Sequence, residues 1–337
     1  MGGLRKGVAR VGDGIPAVHS AREDRAERGL TKIRRDLGPQ ICGFLAEPTV
    51  VEIMLNPDGT LWVERQGQPM QCVGGMADSA AEALITTVAA LMKTTVTRDN
   101  PILECELPGD GSRFEALMPP VVARPSFTIR RKATRVFTLA DYVAAGTMSE
   151  GQRQIIEASI IERKNMLVVG GTGTGKTTLT NAILDGMATL APDDRIVTIE
   201  DTNELQCNAV NVVALRATDQ VDMQRLLKAT MRLRPDRIVV GEVRGHEALA
   251  LLKAWNTGHP GGVATVHAND GLGGLLRLES LVAEGSMNPM PETIAAAVNT
   301  VIVIGKTPNG RRIKEVLQVH GWDGQNYLTS NINESGH

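Results

Sequence analysis

In the second half of the chain, short runs of consecutive apolar residues alternate with segments in which apolar residues recur every three or four positions. The first pattern is typical of strands buried on both faces, and the second is typical of helices with one buried face. The predicted strands are Asn165–Val169, Ile196–Ile199, Val210–Leu215, Ile238–Val240, Val263–Val266 and Val301–Ile304. This alternation predicts an α/β domain around a mostly parallel sheet, with a terminal hairpin near Trp322.

Helical segments separate these strands, and several begin at a residue that can accept hydrogen bonds from the first turn. Ser149 is the expected N-cap of one helix, and either Asp219 or Asp222 is the expected N-cap of a later one. Pro291 is expected to open another helix. Because ligands of parallel sheets bind at the carboxyl ends of the strands, residues that follow the strands are candidates for a shared site.

Strand patterns dominate the first half of the chain. The predicted strands are Val50–Leu55, Thr60–Glu64, Met70–Val73, Ile102–Leu107, Ser112–Met118 and Ser126–Arg131. One helical pattern, from Leu30 to Ile41, is interrupted at Gly38-Pro39, and a second covers Ala80–Met92 with Asp78 or Ser79 as its cap. Many strands with few helices predict a small α+β domain.

The length of 337 residues is typical of about two domains. The predicted segments are a mobile N-terminus at 1–28, an α+β domain at 29–131, a linker at 132–150 and the α/β domain at 151–337.

The composition narrows the class of protein. A net charge of −2 and only 3% aromatic residues argue against a nucleic-acid-binding surface, so no sequence-specific nucleic-acid binding is expected. The four cysteines are widely spaced, which favours reduced thiols in a cytoplasmic protein over a zinc site or disulfides. With no secretory signal and no apolar stretch long enough to span a bilayer, any membrane contact is expected to be peripheral or through partners.

Between a predicted strand and a predicted helix, residues Gly170–Thr177 match the P-loop pattern G-x-x-x-x-G-K-[ST] at every fixed position. A glycine-rich turn with a chance lysine would not explain both flanking elements. Lys176 is expected to reach the β- and γ-phosphates, and the Thr177 hydroxyl to hold Mg²⁺. The residues predicted to bind ATP are Gly171, Thr172, Gly173, Thr174, Gly175, Lys176, Thr177 and Thr178.

Carboxylates follow two other predicted strands. Glu200 and Asp201 come after one strand, and Glu242 comes after another. If both strands lie beside the P-loop strand, these side chains reach the γ-phosphate. There they can activate a water molecule or bind Mg²⁺, whereas the alternative is that they are ordinary solvated acids. We predict Glu242 as a catalytic residue, and Thr177, Glu200 and Asp201 as metal ligands.

The residue before Glu242 departs from the generic second nucleotide-binding motif, which ends in Asp-Glu. Gly241 stands in place of the aspartate. Either other groups bind the metal, or Glu242 both binds the metal and activates the water. His267 also follows a predicted strand. A neutral imidazole there either senses the γ-phosphate or fixes a loop, and both interpretations stay open.

Four segments together resemble the traffic ATPases of type II and type IV secretion machines. They are the P-loop, residues 198–206, residues 233–244 and residues 258–268. Gly241 before Glu242 is itself usual in that family. The segments Gly29–Gly43 and Thr49–Glu64 more closely resemble the members that serve conjugative plasmid transfer.

The resemblance implies a RecA-like C-terminal domain, a PAS-like N-terminal domain and a homo-hexameric ring that works with inner-membrane components of a secretion machine. It also implies that ATP binds between the two domains, with arginines of the N-terminal domain at the phosphates. The matching positions are Arg113 and Arg130, although Arg131 is an alternative to Arg130. Without the resemblance, each would be interpreted as a surface arginine on a strand.

The resulting hypothesis is an ATP- and Mg²⁺-dependent motor in which hydrolysis moves one domain against the other to drive type IV secretion or conjugation. Its catalytic residues would be Glu242, Lys176, Arg113, Arg130 and His267. One alternative is a motor of pilus assembly or type II secretion. Another is a nucleotide-gated docking scaffold with little turnover, and a third is a nucleic-acid motor on the same fold.

Overall fold

The computed structural model describes residues 16–132, 136–218, 220–286, 288–308 and 310–332. The chain divides into two compact units, Met1–Lys132 and Ala133–His337. Residues 1–15 of the predicted mobile N-terminus lie outside the described residues, and helix α1 begins at Pro16. The predicted linker at 132–150 and the other predicted domain boundaries stay predictions.

The first unit is built on an antiparallel sheet. Its elements are α1 (Pro16–Ala46), β1 (Val50–Leu55), β2 (Thr60–Arg65), β3 (Gln71–Gly75), α2 (Asp78–Leu91), β4 (Ile102–Glu106), β5 (Arg113–Leu117) and β6 (Ser126–Arg130). The six strands lie in the order β3-β2-β1-β6-β5-β4, and every neighbouring pair is antiparallel. The predicted α+β arrangement is therefore confirmed.

One hydrophobic core holds this unit together. Helices α1 and α2 contribute apolar residues at helical spacing, and the strands contribute alternate residues from one face. The fully buried members include Ile33, Leu84, Ile85, Val88, Ile53, Phe114 and Ile129. Burial of this apolar surface is the main favourable contribution to the stability of the unit.

The two helices of the first unit differ in how well their limits were predicted. Gly38, with φ 75° and ψ 167°, interrupts α1 as expected. The prediction that Asp78 or Ser79 caps α2 is wrong, because Ala77 occupies the N-cap and no side chain there accepts a hydrogen bond. Asp78 instead lies in the first turn, where its carboxylate is paired with Arg124.

The second unit alternates helices and strands. Its elements are α3 (Leu139–Ala144), α4 (Glu150–Ile161), β7 (Met166–Val169), α5 (Lys176–Leu190), β8 (Ile196–Glu200), β9 (Val212–Arg216), α6 (Met223–Thr230), β10 (Arg237–Val240), α7 (Glu247–Asn256), β11 (Val263–Val266), α8 (Gly271–Gly285), α9 (Pro291–Ala297), β12 (Thr300–Thr307), β13 (Gly310–Trp322) and β14 (Tyr327–Asn331). No described helix has the length and apolar character needed to cross a bilayer.

These eight strands form one sheet in the order β14-β13-β12-β7-β11-β10-β8-β9. The strands from β12 to β9 run parallel, and β13 and β14 add an antiparallel hairpin at one edge. Every residue of β7, β10 and β11 is buried, which explains their continuous apolar runs. The predicted α/β domain with a mostly parallel sheet is confirmed.

The strand order corrects one expectation. Strand β7, which leads into the P-loop, lies between β11 and β12. The expectation that the strands before Glu200 and Glu242 lie beside β7 is therefore wrong. Strand β11 separates β7 from β10, and β8 lies one strand further away. Local patterns predict strands but not their lateral order, which depends on how the helical crossovers pack.

The helix starts of this unit follow the sequence closely. Ser149 caps α4 in a reciprocal arrangement with Gln152, and Asp222 caps α6 by accepting from the N–H of Arg225. The alternative cap for α6, Asp219, lies outside the described residues. Pro291 occupies the first position of α9, as expected.

Candidate nucleotide-binding site

The P-loop joins the end of β7 to the start of α5, as its sequence predicted. Gly173 and Gly175 have φ values of 68° and 99°, in the left-handed region that favours glycine. Gly175 is also the N-cap of α5. A Cβ atom at Gly170 would lie 2.4 Å from the carbonyl oxygen of Ile304, so the chain passes too close to β12 for a side chain. The loop thus leads directly into a helix N-terminus, which favours anions.

Lys176 is the first residue of α5, and it is only 8% exposed. Its Nζ donates hydrogen bonds to the carbonyl oxygens of Gly170 at 3.0 Å and of Gly171 at 3.2 Å. It also lies 3.3 Å from Nδ1 and 3.2 Å from Nε2 of His267. The ammonium group is therefore held inside the curve of the loop, next to the end of β11.

Glu242 and His267 follow β10 and β11, and the structure brings them together. The Nε2 atom of His267 lies 2.9 Å from Oε1 of Glu242. Burial, followed by the charge of Lys176, lowers the pKa of His267 below its ordinary value, so the ring is neutral at pH 7. The tautomer with a proton on Nε2 donates to Glu242 and leaves Nδ1 to accept from Lys176.

Arg244 holds the other oxygen of the Glu242 carboxylate. Its Nη2 donates to Oε2 of Glu242 at 2.8 Å, and its Nη1 donates to Oδ2 of Asp201 at 2.6 Å. Burial raises the pKa of Glu242, but the hydrogen bond and charge of Arg244, with His267 and Lys176, outweigh burial and bring the pKa below its ordinary value. Glu242 is consequently an ionised carboxylate held from both sides.

The predicted metal ligands are not gathered at one point. Oγ1 of Thr177 donates to Oε2 of Glu204 at 3.1 Å. Glu200 is only 4% exposed, and its Oε2 accepts the backbone N–H groups of Glu204 and Leu205, both at 2.8 Å. Since Asp201 is paired with Arg244, the carboxylate that faces Thr177 is that of Glu204.

The glycine that precedes Glu242 lies close to the neighbouring strand. A Cβ atom at Gly241 would lie 3.1 Å from Cβ of Glu200 on the neighbouring strand, which is tighter than nearly all real contacts of this kind. An aspartate at this position would also place a second carboxylate beside the buried one. A residue larger than glycine at this position would therefore require the Glu200 side chain to shift.

In the first unit, the two predicted arginines lie side by side. Arg113 on β5 and Arg130 on β6 are direct cross-strand partners, so their side chains project from the same face of the sheet. The guanidinium of Arg131 instead donates to the carbonyl oxygens of Glu47 and Val50. Of the two alternatives, the structure therefore groups Arg130, and not Arg131, with Arg113.

Two residues of this site were missed by the predictions from the sequence. Glu204 was not predicted as a metal ligand, and Arg244 was not predicted to hold the catalytic base. Both lie in segments that carry the family resemblance, and Arg244 is two residues from Glu242. Composition and spacing could mark them as candidates. Only the folded sheet shows that Glu204 turns back to Thr177 and that Arg244 bridges Glu242 and Asp201.

Comparison with known proteins identifies relatives over most of the chain. The family model described as type II/IV secretion system protein matches residues 36–313. The conjugal transfer protein TrbB of Rhizobium radiobacter is 50% identical over 313 residues, covering 92% of this chain and 97% of the relative. A probable conjugal transfer protein TrbB of Sinorhizobium fredii NGR234 is 53% identical over 292 residues, covering 87% and 90%. The predicted resemblance to conjugative members is confirmed.

A solved structure with the same fold is the ATPase DotB of Legionella pneumophila. It superposes with a TM-score of 0.59 and 19% sequence identity, covering 80% of this chain and 76% of the DotB chain. At this identity the similarity concerns the fold. The second unit has the RecA-like architecture that the resemblance implied.

Proposed function

This chain belongs to the type II/IV secretion system protein family and is an ATPase of the P-loop class, and we propose that it powers a type IV secretion or conjugative transfer apparatus. The observation that carries the proposal is the continuous contact from the P-loop lysine to an ionised carboxylate. Lys176 meets His267, and His267 meets Glu242, at the carboxyl ends of three parallel strands.

In the proposed reaction, water attacks the γ-phosphorus of ATP, the bond from that phosphorus to the β–γ bridging oxygen breaks, and ADP and inorganic phosphate are released. The P-loop and Lys176 bind the phosphates, and Lys176 offsets the negative charge that develops on them. Glu242 accepts a proton from the attacking water, since it is ionised and is linked to the P-loop lysine through His267. His267, neutral and in contact with both residues, is proposed to sense whether the γ-phosphate is present.

The residues beside the start of α5 fit a magnesium ion. The Thr177 hydroxyl and the Glu204 carboxylate are oxygen ligands of the type that Mg²⁺ prefers, and they already lie in contact. When bound there, Mg²⁺ would neutralise charge on the β- and γ-phosphates. Glu200 and Asp201 stay predicted ligands, and their present hydrogen bonds support a role in shaping the segment that carries Glu204.

The arginines of the first unit are proposed to act on the same phosphates. Arg113 and Arg130 present two positive charges from adjacent strands. We propose that they stabilise the γ-phosphate during cleavage, within a homo-hexamer that docks on inner-membrane components from the cytoplasmic side. The relatives described as conjugal transfer proteins support a role in a transfer apparatus. Mass photometry with ATP and Mg²⁺ is expected to give a hexamer, and a persistent monomer would contradict the ring.

The ATPase proposal itself is tested by phosphate release from the purified full chain. We expect continuous turnover of Mg-ATP that stops when EDTA removes the metal. A protein that binds ATP but releases no phosphate would instead support the alternative of a nucleotide-gated scaffold. Stimulation of turnover by single-stranded DNA would favour the nucleic-acid motor.

Replacing Arg244 by glutamine is expected to shift the pH dependence of turnover. Arg244 helps hold the pKa of Glu242 below its ordinary value against burial, so its loss raises that pKa. A general base is active above its pKa, and activity falls as the pH drops through that value. The acidic limb of kcat/KM against pH should therefore move to higher pH in Arg244→Gln.

The control for this experiment is Arg312→Gln, which removes an exposed arginine on β13. Its acidic limb should coincide with that of the wild type. If Arg244→Gln also gives the wild-type profile, Arg244 does not govern the ionisation of Glu242 during turnover.

A further inference from the structure

The hairpin formed by β12 and β13 lies beside the P-loop strand β7. Strand β12 neighbours β7 on one side, and β11 neighbours it on the other. Strand β12 is the parallel neighbour of β7, so its carboxyl end lies at the edge of the sheet where ligands bind. Lys306 lies near that end, and its direct partner on β13 is Arg311. Neither residue was among those predicted from the sequence.

Both side chains lie in the space that a side chain at a loop glycine would enter. A Cβ atom at Gly173 would lie 3.5 Å from Nζ of Lys306, and one at Gly175 would lie 3.2 Å from Cδ and 3.5 Å from Nε of Arg311. Nη2 of Arg311 donates to the carbonyl oxygen of Gly173 at 3.4 Å, which is a long hydrogen bond. Two cationic side chains therefore lie beside the part of the loop from Gly173 to Gly175.

This pair carries two exposed positive charges. Within the described residues, neither Lys306 nor Arg311 forms an ion pair with a carboxylate, and both are exposed. Like charges at directly opposite positions of neighbouring strands are destabilising. An anion between them and the loop would relieve that repulsion.

We propose that Lys306 and Arg311 bind the α- and β-phosphates of the nucleotide, as a second cationic contact besides Lys176. This inference rests on the proposed function. Backbone N–H groups of a P-loop surround the α- and β-phosphates, whereas its lysine reaches the β- and γ-phosphates. Because Lys306 and Arg311 adjoin the glycine part of the loop, they contact phosphates that ATP and ADP share.

This placement makes a distinctive kinetic prediction. Contacts present equally with substrate, transition state and product change KM and leave kcat unaltered. Lys306→Ala and Arg311→Ala should each raise KM for ATP, and Kd for fluorescent mant-ADP, by about tenfold, as expected for loss of a charge-assisted hydrogen bond. Their kcat at saturating ATP should stay within about twofold of the wild type, whereas the γ-phosphate contacts of Lys176 and Glu242 affect kcat.

The controls distinguish the loss of a positive charge from disruption of the hairpin. Arg312→Ala removes the adjacent arginine, whose side chain points to the other face of β13, and should leave Kd for mant-ADP unchanged. Arg311→Lys should restore most of the affinity because it retains the charge. Thermal melting of each variant without nucleotide shows whether the hairpin is intact.

Wild-type Kd values for mant-ADP in both well-folded alanine variants would overturn the inference while leaving the ATPase proposal standing. A fall in kcat with unchanged Kd would also overturn it, since the residues would then act on the transition state alone. A wild-type protein that binds no mant-ADP would overturn the proposed function on which the inference rests.

Discussion

Lys176→Ala is expected to lower ATP turnover by at least about 10²-fold, because it removes the cation of the P-loop. The Lys176 ammonium is held inside the curve of the P-loop by two carbonyl oxygens and lies beside His267. Its positive charge stabilises the negative charge that develops on the phosphates during cleavage. An alanine has no charge and cannot do this. Phosphate release at saturating Mg-ATP measures the loss.

The matched control is Lys164→Ala, which removes an exposed lysine of the same unit; among the described residues, its one ion pair is a 3.9 Å contact with Glu162. It should retain wild-type turnover and a wild-type melting temperature. Substantial activity in a well-folded Lys176→Ala protein would show that the phosphates bind elsewhere, and the P-loop assignment would then be wrong.

Glu242→Gln is expected to bind ATP with near wild-type affinity and to hydrolyse it about 10²–10⁴-fold more slowly. Glutamine has the same shape and can still bond to Arg244 or His267, so the strand end should keep its structure. It has no negative charge with which to accept a proton from water. Single-turnover hydrolysis, measured beside equilibrium binding of mant-ATP, separates the chemical step from nucleotide affinity.

Glu162→Gln provides the control, since it neutralises an exposed carboxylate of the same unit that forms a 3.9 Å ion pair with Lys164. Equal single-turnover rates in Glu242→Gln and the wild type would place the base on another residue. Glu204 would then be the next carboxylate to replace, because it adjoins the hydroxyl of Thr177.

The elements of the two units could be predicted with good accuracy because each depends on local pattern. Continuous apolar runs predicted β7, β10 and β11, and Ser149 predicted the start of α4. The cap of α2 was missed because Asp78 has a competing partner, Arg124, which is distant in the sequence. A local rule fails where a tertiary contact engages the same side chain.

The candidate site also combines features that local sequence patterns indicate with contacts that depend on the order of the strands. The P-loop could be recognised from the sequence, and Glu242 and His267 could be proposed as candidates, since a glycine loop or a strand end makes a residue available to a ligand whatever its neighbours are. The assumption that the acidic strands adjoin β7 was wrong, and yet Glu242 reaches Lys176 through His267, because β11 supplies the intervening side chain.

The sequence by itself determined that this chain has a phosphate-binding loop on an α/β sheet, because loop geometry depends on neighbouring glycines and on the helix that follows. The tertiary structure alone decided which carboxylate faces Thr177, how Arg244 holds Glu242, and that Lys306 and Arg311 lie against the loop. Those contacts join residues on different strands, and strand order and register are set by packing across the whole sheet.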